Sequence, residues 1–119
     1  ALADPVMERW FAPTFRATDD LIAWRNMLTR TPVTGYIGCC QAIAGTDLSD
    51  STRALRLPTL VIAGSEDGAS PPDLVQDTAR MIPGSRFEVI EGTGHLPCVE
   101  DPAAYATHLN DFLKEHAHV

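Results

Sequence analysis

The chain has 119 residues, 45% hydrophobic and 21% charged, a balance that fits one folded globular domain and excludes a disordered one. Its net charge of −7 argues against nucleic acid or an anionic membrane as partner, although a single placed arginine can still hold a small anionic substrate. The three cysteines, two of them adjacent at Cys39-Cys40, do not suit a disulfide framework, and without Cys-x-x-Cys or His/Cys ligand spacing no metal and no cofactor are expected.

There is no signal-peptide pattern and no apolar run long enough to span a bilayer, so the expectation is a reduced, cytoplasmic protein. The absence of an initial methionine fits a fragment or a processed chain.

The first half predicts helices. Asp4-Pro5 offers an N-cap with proline at the first helical position, and the short helix through Val6, Met7, Trp10 and Phe11 ends at Pro13. Thr18 is the candidate cap of the next helix, with Asp19 and Asp20 at its positive end. Leu21, Trp24 and Leu28 form one apolar stripe, which Pro32 stops. Thr34 is the candidate cap of a third helix, with Tyr36, Cys40 and Ile43 on one face and Gly45 at its end. Residues 47–53 read as a polar connection.

From Leu57 the texture changes. The run Leu57–Ala63 is apolar on both faces, as in a buried parallel strand. Ser70-Pro71-Pro72-Asp73 starts a helix with Leu74, Val75, Thr78, Met81 and Ile82 inward, and Pro83-Gly84 ends it. A second strand runs from Arg86 to Ile90. Asp101-Pro102 opens the last helix, with Tyr105, Leu109, Phe112 and Leu113 inward, and His116-Ala117-His118 reads as a tail rather than a metal site. The fold class is therefore α/β, three helices followed by a βαβ unit and one more helix. Two strands leave both sheet edges open, so further strands are expected from a missing N-terminal part, another chain or a second copy.

Each strand opens into a chemistry-bearing loop. Gly64-Ser65-Glu66-Asp67-Gly68 follows the first, and Glu91-Gly92-Thr93-Gly94-His95 follows the second. An acid and an imidazole thus stand at the ends of neighbouring strands, where a hydrolase keeps its acid and base. A Gly-x-Ser-x-Gly elbow, which exposes a nucleophilic serine on a strand-to-helix turn, is missing; Gly64-Ser65-Glu66-Asp67-Gly68 has one residue too many. The other serines, at 49, 51, 70 and 85, do not follow a strand and open a helix.

The pattern from Pro58-Thr59-Leu60-Val61-Ile62-Ala63-Gly64 through Asp67, Gly94-His95, Glu100-x-Pro102 and Asp111-Phe112-Leu113 resembles the C-terminal end of an α/β-hydrolase. Glu8-Arg9-Trp10-Phe11, Ala23-Trp24-Arg25 and Gly35-Tyr36-x-Gly38-Cys39-Cys40-x-Ala42-Ile43 narrow the resemblance to β-ketoadipate enol-lactone hydrolases, also called 3-oxoadipate enol-lactonases. The resemblance implies a helical cap portion over residues 1–50 and the last βαβα of a parallel-sheet core over residues 51–119. It also implies a Ser-His-Asp hydrolase of aromatic catabolism acting on a small-molecule lactone, with nucleophile and oxyanion hole in an earlier part of the enzyme. The chain alone is then expected to be inactive. The alternatives are another capped hydrolase, such as an esterase or dehalogenase, or a non-catalytic fragment that assembles with a complementary chain.

On this resemblance His95 would be the general base, brought across the sheet top by a flexible Gly92-Thr93-Gly94 lead; otherwise it is a loop histidine that caps a helix or meets water. Asp67 would orient the imidazole, with Glu66 as the competing acid and a plain turn aspartate as the bland reading. Arg25 is the candidate for holding a substrate carboxylate, against a surface arginine paired with Asp19 or Asp20. Trp24 either walls the pocket or packs between helices. Cys39 and Cys40 are expected to be buried and inert.

Overall fold

A computed structural model describes residues 2–116, so Ala117 and His118, part of the expected tail, lie outside the described residues. Five helices come first: α1 (Ala3–Trp10), α2 (Pro13–Arg16), α3 (Leu21–Arg30), α4 (Val33–Ala44) and α5 (Ser49–Arg53). Then follow β1 (Leu60–Gly64), α6 (Pro72–Met81), β2 (Arg86–Ile90), α7 (Pro97–Glu100) and α8 (Pro102–His116). The strands pair in parallel, from Leu60 opposite Arg86 to Gly64 opposite Ile90, with α6 as the crossover that parallel neighbours require.

Prolines set many boundaries. Pro13 and Pro97 each sit in the first turn of a short helix, α2 and α7, where a missing N–H costs nothing. Neither helix was expected from the sequence, because four residues are too few to show a period. The expected polar connection at 47–53 also contains a helix, α5, and the Ser49 N–H donates to Asp47 Oδ1 at 2.9 Å. The caps differ from expectation. Helix α1 begins at Ala3, ahead of Asp4-Pro5, and α3 and α4 start without a side-chain cap bond. The Thr18 hydroxyl instead donates back to Phe15 O at 2.8 Å, closing the preceding turn.

Strand β1 is shorter at its start than the apolar run. Pro58 has no N–H to give a ladder, and pairing begins where Arg86 N–H donates to Thr59 O at 2.9 Å. Leu57, left outside, is 70% exposed. Helix α6 buries less than expected: Ala79 and, just past its end, Ile82 are buried, while Leu74 and Thr78 are exposed. Gly84, in the turn before β2, has φ +77°, a left-handed conformation that glycine adopts without strain.

The tightest apolar cluster is Val6, Met7 and Phe11, joined by Trp24 and Leu28 of α3 and by Leu96 and Val99 from the segment after β2. Phe11 is the pivot, 1% exposed and stacked on Phe15 at 4.9 Å. Burying one such side chain stabilises by about 1.5–3 kcal/mol. The cluster therefore seats the end of α1 against the loop that carries His95. Helix α4 is different. Tyr36 is half-buried, but Cys39, Cys40 and Ile43 are exposed. The expectation of buried cysteines fails because α4 has no extended packing against another element among the described residues. Of the expected face only Tyr36 is half-buried, and Val33 and Ile37 are exposed as well.

Candidate active site

The site lies where β1 and β2 end. Beyond the strands the two chains stay paired: Ser65 N–H donates to Ile90 O at 3.1 Å and Glu66 N–H to Thr93 O at 2.8 Å. This approach is so close that a Cβ on Gly64 would collide with the Thr93 and Gly94 carbonyl oxygens. The Ser65 hydroxyl accepts from Gly92 N–H at 2.8 Å and is part of this seam. The serine of the near-elbow motif is thus a structural link between loops. Thr93 is 3% exposed, its hydroxyl donating to Ile90 O at 2.8 Å. Of the Gly92-Thr93-Gly94 lead, Thr93 and Gly94 are buried, while Gly92 is exposed at φ +72°.

Asp67 and His95 come together. Asp67 Oδ2 is 2.8 Å from His95 Nδ1, and Asp67 Oδ1 accepts the N–H groups of Ala69 at 2.7 Å and Ser70 at 2.9 Å. The Asp67 side chain is 5% exposed, that of His95 36%. Three donors on a buried carboxylate compensate its lost hydration. An ionised carboxylate can only accept, so Nδ1 must carry the proton. In the neutral ring Nε2 is then the basic nitrogen. Glu66, the competing acid, is exposed and joins the seam through its backbone N–H. Trp10 lies beside the imidazole, ring centres 6.1 Å apart.

His95 also lines a cavity of about 410 Å³ between β1 and α8, whose walls include Leu60, Ile62, Tyr105 and Phe112. Leu109 and Leu113, expected inward on α8, line it too but remain 38% and 45% exposed. Among the described residues no group of three or more His, Cys, Asp and Glu side chains could hold a metal ion, and no helix is long and apolar enough to cross a membrane.

Arg25 and Trp24 have other partners. Arg25 Nε donates to Asp4 Oδ1 at 2.7 Å, tying α3 to α1 at the surface. This partner is neither Asp19 nor Asp20. The hydrogen bond from Arg25, and then its charge, hold the Asp4 carboxyl below the usual carboxylate range. Trp24, half-buried, packs against Phe11, ring centres 6.1 Å apart.

Glu100 was visible in the sequence only as part of a motif, with no role attached. It is half-buried and accepts N–H groups from Ala12 and Gly94. Burial pushes its carboxyl up from the ordinary value, against the opposing effect of those two donors. An acid within Pro97-Cys98-Val99-Glu100, otherwise without charge, was the available signal.

A sequence profile of the alpha/beta hydrolase fold matches residues 23–102. The chain belongs to the α/β-hydrolase family. It is 32% identical to 3-oxoadipate enol-lactonase 1 of Acinetobacter baylyi over 89% of this chain and 40% of that protein. The second enol-lactonase of that organism is 31% identical over 87% of this chain and 39% of the relative. Among solved structures, the enol-lactonase of Burkholderia xenovorans LB400 superposes with a TM-score of 0.88 at 30% identity, covering 95% of this chain and 44% of that one. A thermophilic esterase from Thermogutta terrifontis gives 0.86 at 33% identity, covering 96% and 43%. The chain thus spans about 40% of the length of the curated relatives it matches. The C-terminal part of an α/β-hydrolase fold, helices followed by a small parallel sheet, agrees with the element order.

Proposed function

We propose that this chain supplies the acid and the base of an enol-lactone hydrolase that opens β-ketoadipate enol-lactone to β-ketoadipate, the nucleophilic serine coming from outside these 119 residues. The observation that carries the reading is the 2.8 Å contact between buried Asp67 and half-exposed His95 at the strand ends. Similarity to two enol-lactonases over most of the chain supports the substrate. Residues 1–50 then form most of the cap and residues 51–119 the end of the core.

In this mechanism His95 Nε2 takes the hydroxyl proton as the serine oxygen attacks the lactone carbonyl. Asp67 stabilises the imidazolium that forms. The ring C–O bond breaks, and the leaving oxygen takes that proton to give an enol that becomes a ketone. Water then hydrolyses the acyl-enzyme with His95 again as base. The chain alone has the acid–base pair without the nucleophile and is inactive by itself. Further strands cover the open edges of the β1–β2 sheet and the exposed leucines beside it.

The test is hydrolysis of the enol-lactone by the complete protein, followed by absorbance, with a simple aryl ester in parallel. Rapid lactone turnover that His95→Ala removes is the expected result. Ester turnover without lactone turnover would establish the second reading, an esterase, which the 33% identity to the Thermogutta enzyme favours. Turnover that survives His95→Ala would sink both. Light scattering and the same ester assay on the isolated 119-residue chain test the assembly. A stable monomer, or turnover sensitive to a serine inhibitor, counts against it.

A further inference from the structure

The end of α1 accepts hydrogen bonds from both loops of the site. Gly68 N–H donates to Arg9 O at 3.1 Å and His95 N–H to Trp10 O at 2.6 Å. Two residues on, Ala12 N–H donates to Glu100 Oε2 at 2.9 Å, while Glu100 Oε1 accepts from Gly94 N–H at 2.8 Å. One carboxylate therefore joins the residue immediately before His95 to the α1–α2 corner. Gly94 fits because it has no side chain: a Cβ there would collide with Trp10 O and stand 2.9 Å from Glu100 Oε1.

The two oxygens of the side chain suit this arrangement. Each oxygen faces one N–H donor, so both must accept. An amide has one accepting oxygen and would turn its NH2 toward a backbone N–H. Leaving a buried donor unpaired costs about 1–3 kcal/mol. Burial opposes ionisation of this side chain and holds its carboxyl above the ordinary value. A half-buried acid whose two oxygens each hold a backbone N–H from a different segment does more than pack.

We propose that Glu100 is a positioning residue for His95, clamping Gly94 and Ala12 so that Nδ1 meets Asp67 while Nε2 faces outward. The inference rests on His95 being the base, but its principal readout does not require turnover. Glu100→Gln in the complete protein keeps the shape and removes one of the two accepting oxygens. Its kcat should fall by about 10- to 100-fold, the scale of misplacing a reacting group by about 1 Å. KM should stay within about twofold, because ground-state binding is untouched. The downfield proton NMR signal of the His95 Nδ1–H bonded to Asp67 should broaden or vanish, while far-ultraviolet circular dichroism stays that of the wild type. Glu91→Gln, at an exposed position, should change none of these.

An unaltered Nδ1–H signal in folded Glu100→Gln overturns the proposal, as does an unaltered kcat in a protein whose activity His95→Ala abolishes. If Glu100→Gln does not fold, Glu100→Asp is measured: its shorter reach should weaken the same signal, and a wild-type signal with wild-type kcat overturns the clamp. Activity that survives His95→Ala refutes the base instead, and the NMR signal still reports on the clamp.

Discussion

At the carboxyl ends of β1 and β2, polar groups are buried and paired; along α4, apolar side chains stand in solvent. Asp67, with an 8% exposed residue surface, satisfies three donors, and Thr93, at 3%, bonds its own strand end. Ile43 on α4 is 76% exposed and Val33 72%. The two regions place their constraints differently. In the site loops each hydrogen bond has one geometry, so the backbone is specified atom by atom, and a single methyl at Gly64 or Gly94 would not fit. On α4 the apolar side chains specify no partner, because burial is non-directional. The Asp67–His95 pair is therefore specified within this chain where the covering of α4 is not.

Substitutions can sharpen this contrast. The largest effect is expected at His95. In the complete protein His95→Ala should lower kcat by about 10²–10⁴-fold or more through loss of proton transfer. Arg25→Ala should leave kcat nearly intact and raise KM only if the arginine leaves Asp4 to hold a substrate carboxylate. An unchanged KM makes Arg25 a surface ion-pair residue, and steady-state kinetics decides between them.

Phe11→Ala comes next. Removing this fully buried ring should cost about 3–5 kcal/mol in urea unfolding, because the cavity left between α1 and the His95 loop cannot close. A loss below 1 kcal/mol would mean that the cluster collapses freely.

A smaller effect concerns pH. Burial raises the Glu100 carboxyl from its ordinary 4.5, so the folded state holds that proton more tightly than the unfolded chain. Its contribution to stability is present below that ordinary value and is lost as pH rises through the raised one. Asp4 and Asp47, both shifted down, act in the opposite sense. The stability of wild type minus that of Glu100→Gln should therefore decline as pH rises above about 4.5. Urea titrations from about pH 4 to pH 7 measure this, and a difference that grows with pH would reverse the sign.

The smallest effect belongs to α4. Ile43→Asn on the isolated chain should change stability by no more than about 0.5 kcal/mol, as for other exposed positions. In an assembled protein that covers α4 the same change should cost several-fold more, so comparing the two measures how far that face is covered.

Much of the fold was legible in local chemistry. Strand β2 falls at Arg86–Ile90 as its alternation predicts, and Pro83-Gly84 ends the crossover helix as its backbone preferences require. The start of β1 was misread because an apolar run continues through Leu57-Pro58, where no ladder bond is possible. Helices α2 and α7 escaped because one turn carries no period. The acid and the imidazole were visible as loop residues after strands.

By itself the sequence determined the order of the longer helices and the two strands, and the loop positions of Asp67 and His95, because these follow from local backbone preference and periodicity. Only the tertiary structure decided that Asp67 and not Glu66 meets the imidazole, that Ser65 ties two loops, that Arg25 pairs with Asp4, and that Glu100 grips the backbone beside His95. Each of those contacts joins residues from different elements. Their geometry depends on how α1 and the two strand ends pack, which no run of neighbouring residues encodes.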